Sequence, residues 1–175
     1  MLTIAAALLV VQAAAAIPPP PPPPPPCTDP SFAAFDFWVG EWDVFQKGTA
    51  RLAAHSRIEK LYGGCAIREN WLPLKGAGGG SLSDFEPATD RWHQTWIGSA
   101  PGRVEFDGGP VDGKMILTGW WPHSGPKGED GLTRMSYSRV EGNAVRQFGE
   151  FSADHGLTWQ TSFDLIYRPH KPGSP

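Results

Sequence analysis

The sequence predicts an all-β fold, an antiparallel up-and-down barrel of about ten strands with a short N-terminal helix. Three observations carry this prediction. From Val39 onward the apolar residues recur with a period of two, in short runs. Clusters of Gly, Pro, Asn and Asp separate those runs, as turn chemistry requires. No long amphipathic helical pattern intervenes, which sets aside a parallel βαβ topology. A ribbon of this many strands with one apolar face must curl or pair to bury it, and closing on itself also removes its exposed edges. A two-sheet sandwich is the architectural rival.

Residues 1–16 are apolar and alanine-rich, end in Ala14-Ala15-Ala16, and precede the first charged residue, Asp29. That is the pattern of a secretory leader, although its usual positive start is missing. Its 16 residues fall short of the roughly 20 that a membrane helix needs. A membrane is therefore expected as a partner only if the leader stays uncleaved. Residues 17–26 form a spacer, since the unbroken prolines Pro18 to Pro26 can adopt only a stiff polyproline II rod. The folded domain is expected over 27–170, with a disordered tail at 171–175. One core is the most that this length supplies.

Within the domain, Asp29 is placed to cap a short helix with Pro30 at its first position. Phe32, Phe35 and Trp38 then share one face, able to close one end of a barrel. The strands follow at 39–46, 53–61, 66–72, 80–85, 91–97, 103–107, 114–121, 132–140, 144–152 and 158–168. In the last run, Trp159, Thr161, Phe163, Leu165 and Tyr167 fall on one face, while Thr158, Gln160, Ser162 and Asp164 fall on the other. Residues 152–159 also match the Asp-box pattern Ser-x-Asp-x-Gly-x-Thr-Trp of sialidase-like propellers. A propeller would repeat it at a regular period, so a single copy reads as a rigid hairpin.

The two cysteines, Cys27 and Cys65, both lie in the part that would be exported. A secreted or periplasmic location, being oxidising, predicts a disulfide between them, with two independent thiols as the alternative. The net charge of −3 and the absence of a basic patch argue against nucleic acid. His55, His93, His123, His155 and His170 are scattered without ligand spacing, so no metal site or cofactor is expected. Gly78-Gly79-Gly80-Ser81 leads into a strand and fits neither a nucleophile elbow nor a phosphate loop. No catalytic residue can be named.

Tryptophan, at eight positions, is the residue type most able to line a pocket. These rings either fill the interior or surround a small ligand there. Strand parity places Trp92, Gln94 and Trp96 on one face, and likewise Ile67, Glu69 and Trp71. If the rings point inward, Glu69 and Gln94 follow them, and a buried carboxylate then needs a partner such as Arg134 or Arg68. The expected site is Trp42, Trp71, Trp92, Trp96 and Trp159 around a small, partly apolar ligand, with Glu69, Gln94 and Arg134 orienting it. Two other readings stay open: an enzyme using Glu69 as acid or base, and a filled barrel serving as an envelope interaction module.

The step Phe35-Asp36-Phe37-Trp38-x-Gly40-x-Trp42 resembles the opening of the calycin group, which includes lipocalins, fatty-acid-binding proteins and nitrobindin-like barrels. Together with Gly64-Cys65-x-Ile67-x-Glu69-x-Trp71, Trp92-x-Gln94-x-Trp96 and Trp159 with Phe163-Asp164, it is also similar to exported bacterial proteins of unassigned function. The resemblance implies a barrel over most of 27–168. It implies no particular ligand or reaction.

Overall fold

The computed structural model describes residues 27–171; the expected leader, the proline spacer and residues 172–175 lie outside them. Ten strands form the wall: β1 (Gly40–Gln46), β2 (Leu52–Leu61), β3 (Ala66–Pro73), β4 (Gly79–Glu86), β5 (Arg91–Ile97), β6 (Val104–Val111), β7 (Lys114–Trp121), β8 (Gly131–Val140), β9 (Ala144–Ser152) and β10 (Gln160–Pro169). Each pairs antiparallel with its neighbours in sequence, and β1 pairs with β10 to close the barrel. The all-β meander is thus a barrel rather than a sandwich. Ion pairs such as Arg68 with Glu59, Arg134 with Glu150 and Arg146 with Asp164 lie along its outer wall.

The alternation predicted from sequence is visible in burial. Trp42 and Val44 on β1, Ile67 and Glu69 on β3, Trp92 and Gln94 on β5, and Met135 and Tyr137 on β8 are buried, while their neighbours along each strand are more exposed. Strand β6 runs past Asp107, where the sequence suggested it would stop, through Gly108-Gly109-Pro110 to Val111. Gly108 permits the continuation: a Cβ there would stand 1.9 Å from the Ile116 carbonyl oxygen on β7. Only a bare backbone fits so close an approach.

The lower end, the foot, is plugged by the segment before β1. In place of one short helix there are two 3₁₀ turns, η1 (Pro30–Ala33) and η2 (Asp36–Trp38). Asp29 caps the first as expected, its carboxylate accepting the Ser31 N–H at 2.9 Å. Three residues per turn suit the sequence better than 3.6, because spacings of three then eclipse. Phe35 and Trp38 are fully buried, stacked at 4.9 Å, and Phe32 packs edge-on against Phe85 at 5.3 Å. Gly40 has φ +152°, and the Trp42 ring lies 3.2 Å from where its Cβ would be. The Trp42 indole N–H then donates to the Trp38 carbonyl at 2.9 Å, locking plug to strand.

Three further ties hold the plug. The Trp92 indole N–H donates to the Ser31 carbonyl at 3.2 Å, and the Lys60 ammonium donates to the Phe32 carbonyl at 2.6 Å and to the Asp36 carboxylate. Cys27 and Cys65 form a disulfide, fastening the start of the plug to the residue before β3. Bridging 38 residues, it contributes about 3 to 4 kcal/mol on the chain-entropy account. Such a bond belongs to a non-reducing compartment.

Candidate functional site

Above the plug the interior opens into a cavity of about 220 Å³ at the upper end, the mouth. Its rim is made by Trp71 at the end of β3, Trp96 on β5, Trp121 at the end of β7, and Phe163 and Leu165 on β10, all only partly buried. Its floor is polar and buried, made chiefly of Glu69, Gln94, Tyr137, Gln147 and Tyr167. Phe106 and Met135 complete the lining. Glycines in the wall keep the lumen open. A Cβ at Gly149 would lie 2.3 Å from the Phe163 ring, and one at Gly79 would lie 2.8 Å from Trp96, so both rings lie flat against bare backbone.

Glu69 sits low on the cavity wall, 5% exposed. Its Oε1 accepts the Ser56 hydroxyl at 3.0 Å and lies 3.4 Å from the Tyr167 hydroxyl, while its Oε2 accepts only a long contact from Ser81, also 3.4 Å. The Tyr167 proton goes to a shorter bond, 2.7 Å to the Gln147 side-chain oxygen. Gln147 in turn donates to the Tyr137 hydroxyl at 2.9 Å. Burial pushes the Glu69 carboxyl up to about 7, a rise the Ser56, Ser81 and Tyr167 contacts only partly offset. Burial and the nearby Glu69 charge drive the Tyr137 and Tyr167 phenols well above their ordinary value. Gln94 donates to Ser83 at 2.9 Å.

The residues singled out from sequence fall in three places. Glu69, Trp71, Gln94 and Trp96 meet at the cavity. Trp42 and Trp92 point inward as parity requires but sit low, in the packed foot, where Trp92 meets Phe35 edge-on at 5.8 Å. Trp159 and Arg134 correct the expectation. A β-bulge between Thr161 and Phe163 inserts one extra residue, so Thr161 pairs with Glu150 while Phe163 pairs with Gly149. One extra residue reverses the faces upstream of it. Trp159 therefore lies over the outer wall, its ring 4.0 Å from the Arg134 guanidinium, which is bound to Glu150 at 2.9 Å. Arg68 is likewise outside with Glu59, so neither arginine reaches Glu69.

Sequence reasoning does not single out Tyr137, Gln147 and Tyr167, yet each shares parity with an inward-facing apolar neighbour: Tyr137 with buried Met135, Gln147 with buried Val145 and Tyr167 with partly buried Leu165. The wall glycines, Gly79 at the start of β4 and Gly149 within β9, are a second signal, since glycine in a strand marks a close approach. The Asp-box hairpin is closed by its aspartate: Asp154 accepts from the Ser152 hydroxyl, the Thr158 amide and the Thr158 hydroxyl at 2.6 to 2.9 Å. It lies outside the cavity.

Among the described residues one group has metal-ligand geometry: Asp43, His55 and His170, whose ligand atoms lie within 4.8 Å of one another. Asp43 Oδ1 is 2.8 Å from Nδ1 of each histidine, an arrangement that two imidazole N–H donors satisfy without an ion. These residues stand on the outer wall, apart from the cavity. In comparisons with known proteins, no family model matches the chain and no curated protein matches it.

Proposed function

We propose that this protein is a binding barrel for a small, largely apolar molecule, taken into the mouth cavity between Trp71 and Trp96 and oriented by Glu69 and Gln94. The single observation behind this reading is an open, aromatic-walled hollow with a polar floor, in a barrel whose opposite end is tightly plugged. An apolar cavity of ~150 Å³ holds a benzene ring, so the volume here suits one ring with a short chain. The size is below the usual range of about 300 Å³ or more for drug-sized ligands. The meander topology and the Phe35 to Trp42 opening support a calycin-like placement, and the disulfide supports export to a periplasmic or extracellular space.

Intrinsic tryptophan fluorescence tests the binding reading, because Trp71, Trp96 and Trp121 ring the cavity. Single-ring aromatic compounds are expected to change the emission saturably. A flat response across such a panel would overturn the reading. The enzyme reading keeps one favourable observation, a buried carboxyl lining the cavity, Glu69, whose burial pushes it up to about 7, where a general acid or base works. The open volume speaks against a filled interaction module.

A further inference from the structure

The cavity's charge asymmetry narrows the ligand class. Among the described residues, the lining contains one carboxyl and no Lys, Arg or His. An anionic head would meet Glu69 without any cation to pair with, leaving two like charges uncompensated in a low-dielectric site. A cation meets the opposite situation. The rings of Trp71, Trp96 and Trp121 present π faces and edges around the entrance, with Trp96 and Trp121 at 6.5 Å and Trp71 and Tyr167 at 6.3 Å. Aromatic walls attract ammonium groups, most strongly when these are desolvated. At the floor, Oε2 of Glu69 has spare acceptor capacity, since its one protein contact is the long one from Ser81.

We propose that the ligand is a small organic cation, an ammonium group carried on an apolar body of about one ring, with the charge held against Glu69 and the body among the rim tryptophans. This rests on the binding reading above and deepens it. The titratable groups facing Glu69 are Tyr167 from β10 and Tyr137 from β8, and Ser56 from β2 and Ser81 from β4 supply hydroxyls. Both phenols stay neutral through the physiological range, because burial holds them well above their ordinary value. Cation binding therefore competes with one proton, the proton on Glu69.

The test uses the full chain with its disulfide intact and three probes sharing a phenyl body: 2-phenylethylammonium, 2-phenylethanol and 3-phenylpropanoate. Affinity is read by tryptophan fluorescence and calorimetry at pH 8. The cation is expected to bind at least about tenfold more tightly than the alcohol, consistent with a desolvated cation–π and ion-pair gain, and the anion not at all. Lowering the pH from 8 to 6 is expected to weaken the cation about tenfold while leaving the alcohol unchanged, as protonation of a group near 7 requires. Glu69→Gln removes the preference; if that variant does not fold, the pH series on the unaltered chain decides the same question. Equal affinity for cation and alcohol, or a pH-independent preference, overturns the cation proposal and leaves a neutral-ligand barrel. Silence from all three probes overturns the binding reading as well.

Discussion

At the foot of the barrel Phe35 stacks on Trp38 at 4.9 Å and meets Tyr137 at 4.9 Å, whereas at the mouth Trp96 and Trp121 stand 6.5 Å apart around open volume. Both ends are aromatic. They differ in where the rings come from. At the foot, strand rings such as Trp42 and Trp92 are met by rings from a segment outside the sheet, tethered by the disulfide, by Lys60 and by the Trp92 bond to Ser31. The mouth rings all project from the strands, and the rings of Phe163 and Trp96 are drawn back against wall glycines. A barrel of this many strands is wider than its own side chains need to fill. A plug closes one end, and whatever the plug does not reach stays hollow. The same residue types thus stabilise the fold at one end and leave a site at the other.

The contrast predicts that losing a ring has opposite readouts at the two ends. Trp38→Ala removes a fully buried side chain from the plug and is expected to lower stability by about 3 to 5 kcal/mol, as large-to-small core changes do. Trp96→Ala, at the half-buried rim, is expected to cost clearly less stability but to weaken ligand binding, read through the remaining Trp71 and Trp121. Urea unfolding of both variants checks this. Equal losses of stability would mean that the mouth is packed core and the division between the ends is false.

Glu69→Gln sharpens the comparison, because the mouth keeps a carboxyl where the foot has none among its buried rings. The folded-state pKa is about 7 against an ordinary 4.5, so the folded protein holds the proton more tightly than the unfolded chain. Stability contributed by that proton is full below about 4.5 and is lost as pH rises through about 7. Above neutrality the ionised, desolvated carboxylate costs on the order of 3 kcal/mol. The glutamine variant is therefore expected to be more stable than the parent at pH 8 by up to that amount and equal to it near pH 4.5. A binding group that destabilises its own fold is the signature of a site maintained for a ligand rather than for packing. Unfolding curves at three pH values decide it, and a variant less stable at pH 8 would make Glu69 part of a satisfied structural network.

Most of this wall was legible in the sequence because strand parity is a hard geometric rule. Ile67-x-Glu69-x-Trp71 and Trp92-x-Gln94-x-Trp96 turn inward together, and neither side of the rule needs tertiary knowledge. Parity gives the face but not the height. Trp42 and Trp92 obey it and still sit in the foot, because register, not alternation, fixes the level of a residue along the axis. Parity also fails at a bulge. The extra residue between Thr161 and Phe163 reverses Trp159 with respect to Leu165, and no residue in Thr161-Ser162-Phe163 announces the irregularity. Arg134 follows from the same rule read from the other side: Met135 and Tyr137 point in, so Arg134 points out, where it takes Trp159 as its partner.

That outer pairing leads to the smallest expected effect, at the hairpin just beyond Ser152. Asp154 is the counterpart of Glu69: a carboxyl in solvent, surrounded by donors. Hydrogen bonds from the Thr158 hydroxyl and amide, then from the Ser152 hydroxyl, hold it down to about 2, against an ordinary 3.8. The linkage sign is reversed. Stability from Asp154 is present above about 3.8 and lost as pH falls through about 2. Asp154→Asn is expected to make the acid limb of the stability profile shallower while leaving the Glu69 contribution near neutrality untouched, and Glu69→Gln to do the reverse. Thermal melts from pH 2 to 8 read both limbs in one series. Because the two carboxyls share no partner, the double variant should show the sum of the single changes. Coupling between them would mean that the hairpin and the cavity move together, and that the mouth is less independent of its outer loops than the bond pattern around Glu69 and Asp154 implies.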